Sequence, residues 1–134
     1  MITKYDPEIY PLKLYVAVGD DQRGKIYRKF TKLNHDPIDT SKDEIKSCNG
    51  MTIFVREKST NHLGVLIWLS NDGIGVRTAA HESLHYVCNV FGYCNISMGY
   101  ENGQDEHFAY LLGWCVECVM DSVAKYLKNN IYED

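Results

Sequence analysis

Apolar positions along the chain change their period from segment to segment, and the changes outline the elements. Tyr10–Val18 (YPLKLYVAV) is rich in β-forming residues and partly alternates, and Gly19-Asp20-Asp21 ends it. Gly24–Leu33 carries Ile26, Phe30 and Leu33 at helical spacing, which predicts a short amphipathic helix. Asn34–Asn49 is polar, contains Pro37 and reads mostly as loop. Met51–Arg56 and Leu63–Leu69, joined by the turn Glu57–Asn61, form a predicted hairpin. The second strand is too continuously apolar for a surface strand with one wet face. Interior placement for it leaves Met51–Arg56 as the edge. Ser70–Gly73 is a turn with several possible N-caps before a helix over Val76–Phe91. A loop to Gly103 precedes the last helix, Gln104–Leu127, which opens on Asp105-Glu106 and closes on Lys125 and Lys128, as the helix dipole favours. Its middle, AYLLGWCVECVM, is apolar almost all round, the mark of a buried helix. The order β, α, β, β, α, α predicts one α+β domain spanning 1–134, with a small antiparallel sheet.

Composition adds exclusions. Apolar residues make up 45% and charged residues 24%, values of an ordinary globular domain rather than a disordered or fibrous chain. A net charge of −4 argues against general nucleic-acid binding, and Arg23, Lys25, Arg28, Lys29 and Lys32 read as one solvated helix face. No apolar run approaches the roughly 20 residues that span a bilayer, and the N-terminus lacks a signal-peptide core. Five cysteines, an odd number, fit reduced thiols in a cytoplasm. Cys115-x-x-Cys118 lies mid-helix with no second such pair, so both read as buried small hydrophobes.

The chemistry is concentrated in His81-Glu82-Ser83-Leu84-His85. On a helix, residues four apart share a face, so two imidazoles can reach one ion at the ~2.0–2.1 Å that zinc requires. Glu82, offset by one position, suits a general base acting on metal-bound water better than a third ligand. A catalytic zinc needs a third protein ligand. Glu106 is the leading candidate, with His107, Glu101, His35 and His62 behind it. Glu106, Ala109, Tyr110 and Gly113 follow i, i+3, i+4, i+7, and the small residues would let this helix approach the motif helix closely. Tyr110, on the same face, is the preferred donor to a developing oxyanion, with His107 and Tyr100 as alternatives.

These residues resemble a known family. His81-Glu82-x-x-His85 with Glu106 about twenty residues on is the gluzincin arrangement, and Glu106-His107-Phe108-Ala109-Tyr110-Leu111 resembles the E-x-x-A stretch of the ImmA/IrrE-like minimal zincins and of small phage and prophage proteins. The resemblance spans 76–115 and extends weakly to Ile9-Tyr10-Pro11. Tyr110-Leu111-Leu112-Gly113 departs from the pattern that follows E-x-x-A in ImmA itself. The resemblance implies a minimal zincin-like fold, Zn2+ held by His81, His85 and Glu106, and Glu82 as base. It implies a metallopeptidase acting on a peptide or protein substrate in the cytoplasm of a bacterial host, of phage or prophage origin. Two other readings stay open: a non-catalytic zinc-stabilised protein-binding module, and a hydrolase of a non-peptide amide. The sequence leaves the oligomeric state open.

Overall fold

A computed structural model of the chain describes residues 1–40, 48–101 and 103–131. Positions 41–47 of the predicted loop Asn34–Asn49, and 102 of the later one, lie outside the described residues. Strands β1 (Ile2–Tyr5), β2 (Lys13–Val18), β3 (Phe30–Thr31), β4 (Gly50–Glu57) and β5 (Leu63–Leu69) form one sheet in the order β1-β2-β5-β4-β3. Helices α1 (Arg23–Lys29), α2 (Val76–Cys94) and α3 (Glu106–Ile131) complete the domain. The α+β class is as expected. The sheet is not purely antiparallel: β2 and β5 run parallel, from Lys13↔Gly64 to Val18↔Leu69, while the other pairs are antiparallel.

That pair is the spine of the fold, and its continuous hydrophobicity has a direct cause. The sheet is covered on both faces. Leu14, Val16, Val18, Val65, Ile67 and Leu69 pack towards α2 and α3, with Tyr86, Val87, Val90, Leu111, Cys115 and Val119. The alternate positions Tyr15, Ala17, Leu66 and Trp68 pack with Ile26 of α1, Phe30, Ile38 and Val55 on the other face. Each fully buried aliphatic side chain contributes roughly 1.5–3 kcal/mol, so two such faces make β2 and β5 the firmest part of the molecule.

The predicted helix Gly24–Leu33 stops early. Phe30 turns extended and seats its ring in the second core, 4.8 Å from the ring of Tyr15, and Phe30-Thr31 then pair with Glu57 and Arg56. Strand β1 was not anticipated, because four residues with Thr3 and Lys4 among them carry little periodic signal. The predicted strand Tyr10–Val18 begins only at Lys13. Helix α2 outruns Phe91 because Asn95 adopts the left-handed conformation (φ 57°), and the Ile96 N–H donates to the Phe91 carbonyl at 2.9 Å to close the helix.

Helix α3 departs from the all-round burial expected of it. Leu111, Cys115, Cys118, Val119, Ser122 and Val123 form its buried stripe, while Glu106, Ala109, Tyr110, Gly113 and Glu117 are exposed. Among the described residues no helix is long and apolar enough to cross a membrane.

Candidate metal centre

Helix α2 lies across the sheet with Ala79, Ser83, Tyr86, Val87 and Val90 buried beneath it. One flank packs on α3, through ring contacts Tyr86–Trp114, Phe91–Phe108 and the stacked Phe91–His107 pair. The other flank meets β4. Close approach there requires a glycine: a Cβ on Gly50 would lie 2.9 Å from Thr78 Cγ2 and 3.1 Å from Glu82 Cγ. Two residues along β4, the Thr52 hydroxyl donates to the Glu82 carboxylate and also lies 3.2 Å from the Glu82 carbonyl oxygen. Glu82 is 6% exposed and thereby held under the strand.

His81 and His85 stand on the solvent side of this β4 flank. Both are exposed, and their Nε2 atoms are 3.2 Å apart. That is a hydrogen-bond distance between the two rings, and it is also close to the roughly 3.3 Å that separates two nitrogens on one tetrahedral zinc at ~2.05 Å. A cavity of about 270 Å³ opens beside it, lined by Asn49, Gly50, Arg77, Thr78, His81 and Glu82. Among the described residues, the adjacent edge of β4 has few pairing partners. Among the described residues β3 pairs only with Arg56 and Glu57, leaving Gly50–Val55 bonded on one side, to β5.

The third ligand is not gathered. Among the described residues no His, Cys, Asp or Glu joins the two histidines in a metal-binding group. Glu106 opens α3, which packs on the opposite flank of α2. The small residues do not bring the helices together as expected: a Cβ on Gly113 would meet nothing within 4 Å. Tyr110 is 76% exposed and lines a different cleft, of about 550 Å³, with Tyr10, His107 and Trp114. His107 stacks on Phe91, its ring centroid 5.1 Å away, and its Nε2 lies 3.4 Å from the Ser97 carbonyl oxygen. His62 sits by Lys4, 3.4 Å from its Nζ. His35 and Glu101 are exposed in loops.

Sequence reasoning missed two participants. Thr52 was discoverable as the lone hydroxyl in the alternation of MTIFV, on the face that β4 turns to α2. Arg77 precedes His81 by one helical turn, a spacing visible in the sequence. Near the site, burial pushes the Cys48 thiol above its ordinary value, and the Glu82 charge adds to the effect. Cys115 is pushed up to about 12 and Cys118 to about 11, both by burial, so the C-x-x-C pair serves packing rather than thiolate chemistry. Comparison with family models, curated proteins and solved structures finds no match for this chain.

Proposed function

We propose that the protein is a zinc-dependent metallopeptidase of minimal zincin type, acting on an extended peptide. The observation that carries this reading is the 3.2 Å separation of the His81 and His85 Nε2 atoms next to a sequestered Glu82 carboxylate. Zinc is the cofactor that suits two neutral imidazoles on one helix face, and when bound it supplies Lewis acidity towards a carbonyl and lowers the pKa of water to ~7. The residues of the chain do the rest. Glu82 accepts the proton of the attacking water, and Thr52 fixes the carboxylate that receives it. The edge of β4 that no described residue pairs with over Gly50–Val55 offers backbone N–H and C=O groups to a substrate strand beside the histidines. Glu106 is the third ligand this reading names, and Tyr110 its oxyanion donor. Both roles require the first turns of α3 to move towards the histidine flank, since both side chains now face solvent elsewhere. A second reading draws on a donor set that is incomplete among the described residues and on the same edge: a module that binds an extended peptide without cleaving it.

The test is zinc content by mass spectrometry after reconstitution, with cleavage of a peptide library. The expectation is one zinc in wild type and none in His81→Ala or His85→Ala. Glu82→Gln should keep zinc and lose cleavage, and Glu106→Gln should weaken zinc. No zinc in reconstituted wild type overturns the reading. Zinc without cleavage of any peptide favours the binding module.

A further inference from the structure

Arg77 lines the same cavity as His81 and Glu82. It is exposed, and among the described residues its guanidinium makes no hydrogen bond or ion pair, unlike Arg23, which pairs with Asp20, and Arg56, which donates to Asn61. The cavity is thus lined by a fork of donors that no described residue pairs with, one turn from the histidines, and its one lining carboxylate, Glu82, is engaged by Thr52. Guanidinium geometry matches a carboxylate bidentately.

The direction of the neighbouring strand says which carboxylate. Gly50 lies against Thr78 and Glu82, and Thr52 against Glu82, so β4 and α2 advance together from the Arg77 end. A peptide pairing antiparallel with β4, the more stable mode, runs the other way, its C-terminal end towards Gly50 and Arg77. Helical rise sets the Arg77 backbone about 6 Å before that of His81. An extended peptide advances ~3.3 Å per residue, so Arg77 reaches a group about two residues beyond the bond lying over the histidines.

We infer that Arg77 is a specificity residue that selects peptides carrying a carboxylate within about two residues on the C-terminal side of the bond presented to His81 and His85. The carboxylate is either the chain terminus or an Asp or Glu side chain. The inference rests on the peptidase reading for its orientation, but the subsite is a binding site and is tested as one.

The experiment titrates 15N-labelled protein with short peptides and follows backbone amide and arginine Nε–Hε signals. The probes are N-acetyl-trialanine as free acid, the same peptide as C-terminal amide, and N-acetyl-Ala-Asp-Ala amide. The free acid, the Asp peptide or both should shift Gly50, Thr78 and the Arg77 side chain, and bind about fivefold or more tightly than the plain amide. Arg77→Gln should erase that preference, and Arg77→Lys should keep part of it. Which acidic probe responds identifies the source of the carboxylate. Equal binding of acids and amide, or a preference that survives Arg77→Gln, overturns the inference. Zinc content of the same samples separates the two conclusions. Zinc bound without carboxylate preference removes Arg77 and leaves the peptidase. Carboxylate preference in a protein that takes up no zinc keeps the subsite and removes the peptidase.

Discussion

Replacing Thr52 by Val removes one hydroxyl and almost no volume, and so isolates the contact that fixes Glu82. The Thr52 hydroxyl proton faces two acceptors, the Glu82 carboxylate and, at 3.2 Å, its carbonyl oxygen. A hydrogen bond to a charged group contributes roughly 1.5–3 kcal/mol when its loss leaves the charge buried. Glu82 is 6% exposed, but it borders a cavity through which water can reach the carboxylate, and the lower half of that range applies. The expected loss is about 1.5–2 kcal/mol, or a fall of about 1 M in the urea midpoint for a domain of this size. Thr52→Ser keeps the hydroxyl and drops one methyl, a loss of about 0.8 kcal/mol or less. In a Glu82→Gln background the acceptor is neutral, and Thr52→Val should lose only about 1 kcal/mol, giving a coupling of about 0.5–1 kcal/mol. Urea unfolding followed by Trp fluorescence measures all of these. If Val and Ser destabilise equally, or the cycle shows no coupling, the methyl rather than the hydroxyl carries the role, and Glu82 is positioned by packing alone.

Glu57 is buried at the far end of β4 and accepts hydrogen bonds from Lys4, Tyr15 and Thr60, with Lys29 at 3.6 Å. Burial pushes its carboxyl up, but the Thr60 and Lys4 hydrogen bonds and the lysine charges outweigh it and hold it below the ordinary value. A depressed carboxyl stabilises the fold above its unfolded pKa of ~4.3, and this is lost as pH falls through the lower folded value. Glu57→Gln should therefore destabilise the fold at pH 7 and cost progressively less as the pH falls through the folded-state value, and a pH-independent loss in urea titrations would refute the ion-pair account. For the thiols, iodoacetamide with peptide mapping should label exposed Cys88 first, and Cys115 and Cys118 only at the rate of unfolding. Fast native labelling of Cys115 would contradict its burial. At Gly73 an added Cβ would lie 1.8 Å from the Asn49 carbonyl oxygen, which accepts from the Ser70 N–H and hydroxyl and sits at the lip of the cavity. Gly73→Ala should cost about 2–3 kcal/mol and lower the melting temperature by about 10 °C, and a drop under about 3 °C in calorimetry would refute the close approach.

What was legible in the sequence follows from where the signal is dense. The run LGVLIWL declared an interior strand because both its faces are buried, and the hairpin with β4 followed from the turn between them. The helical histidine pair was legible because i, i+4 spacing is a local property that tertiary packing does not alter. The parallel pairing of β2 with β5 was not legible, since register and neighbour are settled by distant chain segments. Nor was the end of α1, where the buried ring of Phe30 overrode a helical spacing that Ile26, Phe30 and Leu33 satisfy equally well.

The placement of Glu106 shows how a periodic argument can identify a face and misjudge where it points. Glu106, Ala109, Tyr110 and Gly113 do share one face of α3. At about 100° per residue that face lies roughly opposite the stripe of Leu111, Cys115, Cys118 and Val119. The stripe is the more apolar of the two and takes the sheet, so the Glu106 face is left to solvent. His81 and His85 have the same relation to the buried stripe of α2; His81 lines the β4-side cavity with Glu82 and His85 lies against His81, while α3 packs on the other flank. Rotating α3 in place would expose Leu111 and Cys115 and is excluded by burial. The proposed movement therefore falls on the start of α3, where the side-chain contacts among the described residues are the His107–Phe91 stack, the Phe108–Phe91 edge contact and the weak His107–Ser97 approach. The Glu106→Gln zinc measurement therefore reports on more than a ligand. A weakened site means that the start of α3 unwinds from Phe91 to close over the metal, and His107→Ala, which loosens that stack, should then strengthen zinc binding. An unchanged site means that the two histidines complete their coordination with water and substrate, on the flank where β4 and Arg77 wait.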